Sequence, residues 1–134
     1  MIILAEEKRP AEIKSLKPGS FVLIDDIPCK VESVQTSKPG KHGSAKARMV
    51  ATGVFENTKK NIVKPAGETV YTPIIEKRSM QVLAFVGENA QLMDMEDYSQ
   101  IEVPVPEEFK GKLAEGDEIL VWRYGKYALI KGKK

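Results

Sequence analysis

The chain has 134 residues, 42% of them hydrophobic and 30% charged, with a formal net charge of +2. That balance is ordinary for a globular protein, excludes intrinsic disorder and membrane insertion, and leaves room for one medium domain or two very small ones. Cys29 is the only cysteine and His42 the only histidine, so an internal disulfide and a zinc centre built from Cys and His are excluded by count.

The apolar run Met1 to Ala5 is far shorter than the core of a signal peptide, and Glu6-Glu7 follows it with the wrong sign for export. A cytoplasmic protein is expected. Ser15-Leu16-Lys17-Pro18-Gly19 supplies a turn, and the residues from Phe21 to Val34 read as strand, interrupted by turn chemistry at Asp25-Asp26. Cys29 lies among strand residues and is expected to pack as a small hydrophobe, a structural rather than a reactive thiol.

Between Glu32 and Glu56 there is no acidic residue, and in the middle of that stretch sits Ser37-Lys38-Pro39-Gly40-Lys41-His42-Gly43-Ser44. Pro39-Gly40 favours a turn, because proline fixes φ at its second position and glycine accepts the positive φ that follows. Ala45 to Phe55 again reads as strand, which makes the basic segment the tip of a hairpin. Gly40 and Gly43 remove side-chain bulk on both sides of Lys41-His42, so Lys41 is expected to stand open to solvent at the end of a stiff arm. Alternation along the following strand places Ala47, Met49 and Ala51 on a packing face and Lys46 and Arg48 together on the other.

A turn is predicted at Asn57 to Asn61, then strands at Ile62-Val63 and Thr69 to Tyr71, with a boundary at Pro73. Beyond it, Gln81 to Val86, Ala90 to Met95 and Ile101 to Val103 form a predicted meander. Pro106 to Lys110 reads as one or two helical turns, with proline and acids at the favourable N-terminal end. Glu118 to Trp122 and Lys126 to Ile130 close the chain as a hairpin, and Lys131 to Lys134 is expected to fray. The fold class is therefore all-β, two small barrels. Five strands with a short helix before the fourth match a partly open Greek-key barrel of the oligonucleotide-binding (OB) type in the second half.

Charge divides unevenly: residues 1–72 hold twelve Lys/Arg against eight Asp/Glu, and residues 73–134 hold nine against eleven. A basic first half points to a polyanion such as RNA, or to no more than a solvated face. No nucleophile stands with a base, and Asp94, Glu96 and Asp97 are better explained as a turn between strands than as a cation site; an enzyme is not expected, and no metal. Gly40-Lys41-His42-Gly43 satisfies the Gly-X-X-Gly of the KH module, but there the motif joins helices and here it joins strands.

The stretch from Ser37 to Lys46, with Ser15-Leu16-Lys17-Pro18-Gly19, Pro28-Cys29, Gly53-Val54-Phe55, Pro73-Ile74-Ile75 and Gln91-Leu92-Met93-Asp94, resembles the hypusine-containing translation initiation factor 5A family of archaea and eukaryotes. The resemblance spans nearly the whole chain. It implies an SH3-like barrel over residues 1–72, bearing the loop, and an OB-fold domain over residues 73–134. It implies that Lys41 receives a spermidine-derived aminobutyl group from the NAD-dependent deoxyhypusine synthase, becoming deoxyhypusine or hypusine, with no other cofactor. Lys38, Pro39, Gly40, His42, Gly43, Lys46 and Arg48 would support the loop and contact RNA. The implied partners are the ribosome, through its rRNA, and the peptidyl-tRNA; the implied role is to promote peptide-bond formation at stalling sequences such as consecutive prolines. The alternative is a general RNA-binding module without modification. One departure is Asp25-Asp26-Ile27, where the family often has Asp-Gly; Asp tolerates left-handed backbone better than most residues.

Overall fold

The computed structural model describes residues 6–38 and 45–134, which divide into two compact units, Glu6–Ile74 and Ile75–Lys134. Both are built from β-strands, with two short 3-10 turns and no α-helix among the described residues.

In the first unit, β1 (Lys8–Glu12) pairs antiparallel with β6 (Thr69–Pro73). The strands β2 (Phe21–Ile24), β3 (Ile27–Ser37), β4 (Lys46–Gly53) and β5 (Lys59–Pro65) form an antiparallel sheet in chain order. β6 also runs beside β2, so the two sheets wrap around one core, the SH3-like barrel expected. Ile13, Val22, Cys29, Ala47, Met49 and Ala51 are fully buried in it. Ile13 opens the 3-10 turn Ile13–Ser15, which is tied down where its N–H donates to the Glu68 carbonyl at 3.0 Å. Between β2 and β3, Asp25 and Asp26 have φ of 52° and 62°. Positive φ at both central residues of a two-residue hairpin is the I′ geometry, which matches the right-handed twist of the flanking strands. The Asp-Asp departure therefore keeps the turn.

The second unit contains β7 (Glu76–Val86), β8 (Asn89–Asp94), β9 (Gln100–Pro104), β10 (Glu118–Tyr124) and β11 (Tyr127–Lys133), in the sheet order β11-β10-β7-β8-β9. Edge strands β9 and β11 approach each other, which curls the sheet into the partly open barrel of the OB type. Met80, Val82, Leu92, Ile119, Val121 and Ile130 fill its interior.

Four local expectations change. β1 was not foreseen: Lys-Arg-Pro-Ala-Glu has no β-branched residue, and only its pairing with β6 makes it a strand. The turn predicted at Asn57 to Asn61 is shorter, because Lys59 and Asn61 already pair with Thr52 and Val50. The terminal lysines do not fray: Lys133 pairs with Ile119 and lies 3.2 Å from Asp117, and the Lys134 N–H donates to the Glu118 carbonyl. The predicted helix before β10 is a 3-10 turn, Glu107–Phe109.

Candidate functional site

β3 and β4 stay paired to their ends. The register runs Gln35↔Arg48, Thr36↔Ala47 and Ser37↔Lys46, so the segment 38–45 is anchored at both ends on a closed strand pair. Of the residues expected to form the site, Lys38, Lys46 and Arg48 are described, and all three are exposed. Pro39, Gly40, Lys41, His42 and Gly43 lie outside the described residues.

Residues directly opposite in an antiparallel pair share a face of the sheet. Lys46 stands between Ser37 and Pro65, Arg48 between Gln35 and Val63, Val50 between Ser33 and Asn61, and Thr52 between Lys30 and Lys59. The reverse face, Ala47, Met49 and Ala51, is buried to 0% exposure. Period-2 alternation thus fixes Lys46 and Arg48 outward, because rotating the strand would bury two cations and expose its core. The register shift between Val31 and Ser33 lets Glu32 join this outer face.

Glu32 is that face's acid, and it is already engaged: the Thr52 hydroxyl donates to it at 2.7 Å and Lys59 Nζ lies at 3.5 Å. The Thr52 bond first, and Lys59 with it, hold its carboxyl below the usual carboxylate range. Towards the loop end the charge is unopposed: among the described residues no carboxylate lies within ion-pair distance of Lys46 or Arg48. The outer face is therefore only partly neutralised at its far end, where Glu32 stands against Lys30 and Lys59, and is cationic without any such acid next to segment 38–45. Val63, 56% exposed, places an apolar surface beside Arg48. Lys59 reads as part of a turn in the sequence and Val63 as a short strand with no assigned face; the alternation Lys59, Asn61, Val63 is the signal that places both here.

The remaining chemistry is structural. Cys29 is fully buried and its Sγ donates to the Ile27 carbonyl at 3.3 Å; burial raises the thiol pKa above its ordinary value, which makes it a poor nucleophile. Asp94 is not only a turn residue, since it forms a buried ion pair with Arg78. Among the described residues no group of three or more His, Cys, Asp or Glu is placed to hold a metal ion.

The sequence and the fold are shared with known proteins. Residues 7–68 match the family described as "Translation initiation factor 5A-like, N-terminal". The chain is 52% identical over 126 residues to translation initiation factor 5A of Thermofilum pendens, covering 92% of this chain and 96% of that protein. It is 51% identical over 112 residues to the protein of the same name from Methanocella arvoryzae, covering 84% and 88%. Among solved structures it is similar to the eukaryotic translation initiation factor 5A from Methanococcus jannaschii, with a TM-score of 0.82 and 39% identity over 94% of this chain and 96% of that one. A Naegleria fowleri member of the factor 5A family gives a TM-score of 0.73 at 28% identity, over 95% and 98% of the two chains.

Proposed function

This chain belongs to the translation initiation factor 5A family, and from that premise we propose that it binds the ribosome near the peptidyl-tRNA and promotes peptide-bond formation at stalling sequences such as consecutive prolines. The family is one of translation factors rather than enzymes. In this reading Lys41 is the working group, carrying the aminobutyl group of deoxyhypusine or hypusine, placed there by deoxyhypusine synthase. Residues 1–72 carry the loop and residues 73–134 form the OB domain. The protein acts in the cytoplasm; among the described residues no helix is long and apolar enough to cross a membrane.

The observation that carries the proposal is the Ser37↔Lys46 pair, which fixes both ends of the segment holding Lys41 on an arm whose outer face is cationic. Five added single bonds of about 1.5 Å lengthen the lysine by roughly 6 Å and turn one positive charge into two. Such an arm enters an RNA-lined cleft too narrow for the barrel, where its amines meet phosphate and ribose oxygens. Ordering the substrate there accelerates reaction without an acid or base supplied by the factor.

Lys41→Arg tests the reading, because arginine keeps the charge but cannot accept the aminobutyl group. It is expected to abolish rescue of polyproline synthesis by factor isolated with its modification, verified by intact mass. Full rescue by Lys41→Arg would replace this reading with that of an RNA-binding module without modification.

A further inference from the structure

In the second unit, a groove of about 220 Å³ opens between the β7–β8 turn and the 3-10 turn before β10. Its floor is Phe85, Val105, Phe109 and Leu113, and its rim carries Glu88 and Lys110. Phe85 is 42% exposed and its neighbour Val86 52%, an apolar surface at the end of the strand whose Met80 and Val82 lie in the core.

The walls are held by backbone bonds: the Val105 N–H donates to the Glu88 carbonyl at 3.0 Å, and the Lys112 N–H to the Phe109 carbonyl at 3.0 Å. Gly87 and Gly111, both at positive φ, form its lips, and a Cβ on either would meet open space. The groove is thus pre-formed and approachable by another backbone.

Charge identifies the occupant. Lys110 Nζ lies 2.7 Å from Glu107 and 3.6 Å from Glu88, so one ammonium serves two carboxylates and the rim stays acidic. Around the groove Glu88, Glu107 and Glu108 stand against Lys110 and Lys112, a net of −1 that favours a cationic over a polyanionic occupant. The volume falls below the roughly 300–1,000 Å³ of small-molecule pockets and suits a single large side chain.

We propose that this groove docks a peptide segment of a partner protein that presents one apolar side chain flanked by basic residues. The anchor lies on Phe85 and Phe109, while its flanking cations meet Glu88 and Glu107. This contact is independent of the Lys41 loop and is read separately from it.

The test is a titration of the full, 15N-labelled chain with the pentapeptide RKFKR, its anchorless form RKGKR and its acid-flanked form EEFEE. Saturable shifts are expected at the amides of Gly87, Glu88, Lys110 and Gly111 for RKFKR. Loss of the anchor in RKGKR weakens binding roughly tenfold or more. The Phe85→Ser chain should weaken RKFKR binding similarly, and Glu88→Lys, at a side chain 86% exposed and so safe for folding, should also reduce it. The proposal is overturned if RKFKR gives no saturable shifts at those amides, if EEFEE binds equally well, or if a single-stranded RNA decamer perturbs the same amides instead.

Discussion

Arg78 Nε donates to the Asp94 carboxylate at 2.7 Å, with the Asp94 side chain only 1% exposed. The pair bridges β7 and β8 inside the second barrel, and the other Asp94 oxygen accepts the Glu96 N–H at 2.8 Å, which shapes the turn towards β9. Burial opposes ionisation of Asp94, but the Arg78 bond and the turn amides outweigh it and hold the carboxyl below the usual range.

The sign of the pH dependence follows. A carboxyl whose folded pKa is depressed contributes stability in full above its unfolded value near 3.9, and that contribution is lost as pH falls through the folded pKa. Asp94→Asn is expected to cost about 2–4 kcal/mol at pH 7, since it leaves a guanidinium that is only partly repaid by the outer carboxylates Glu96 and Asp97. Urea unfolding followed by Trp122 fluorescence should show this loss shrinking on acidification below pH 4. An equal deficit at pH 7 and at low pH would assign the effect to packing instead.

At the β2–β3 turn, Asp26 sits at φ 62°. Left-handed backbone costs most residues roughly 1–2 kcal/mol, glycine almost nothing, and aspartate an intermediate amount. Asp26→Gly should therefore be neutral to slightly stabilising and Asp26→Ala destabilising, with the two variants separated by about 1 kcal/mol in thermal or chemical unfolding. Indistinguishable variants would mean that the turn relaxes away from its I′ form.

Most of the strand order was legible because hydrophobic alternation is local: Ala47, Met49 and Ala51 point inward wherever the strand is placed, and Lys46 and Arg48 must then point outward. A turn was legible from Asp-Asp between apolar runs, but its I′ form shows only in the positive φ of both residues. β1 was not, because Lys8 to Glu12 carries no local strand preference and is held by residues some sixty positions away at β6. The role of Arg78 was hidden for the same reason. It stands in register with the buried Val121 on an inward face, and only the fold brings Asp94 to it. The cationic outer face was half visible: its β4 residues could be read from sequence, whereas Val63 and Lys59 joined it through the pairing of β5 with β4.

Gly53 explains one of the sequence features that carried the family resemblance. A Cβ placed there would lie 2.2 Å from the Glu56 carbonyl oxygen, a backbone atom that cannot swing aside as a side-chain tip can. The Gly53 N–H also donates to the Thr58 carbonyl at 2.8 Å, closing the turn between β4 and β5. Gly53→Ala must therefore open that turn, at a cost of about 1–3 kcal/mol. Amide exchange should speed up at Gly53 and Thr58 before the rest of the first unit is affected; unchanged protection there would remove this account.

Lys46 and Arg48 supply the last expectation. Both are exposed on the outer face beside the loop, and neither is engaged by a carboxylate there, whereas Lys59 on the same face already faces Glu32 at 3.5 Å. A cation that no carboxylate engages among the described residues is free to displace counterions from a phosphate, and each such contact contributes about 0.7–0.9 to the slope of log affinity against log salt. Lys46→Ala and Arg48→Ala should each lower the slope for ribosome binding by about that amount, and Lys59→Ala by less, with folding stability unchanged to within about 0.5 kcal/mol. Binding measured between low and moderate salt decides the point. If the three variants reduce the slope equally, the face acts only through its net charge; if none does, the RNA lies elsewhere on the barrel.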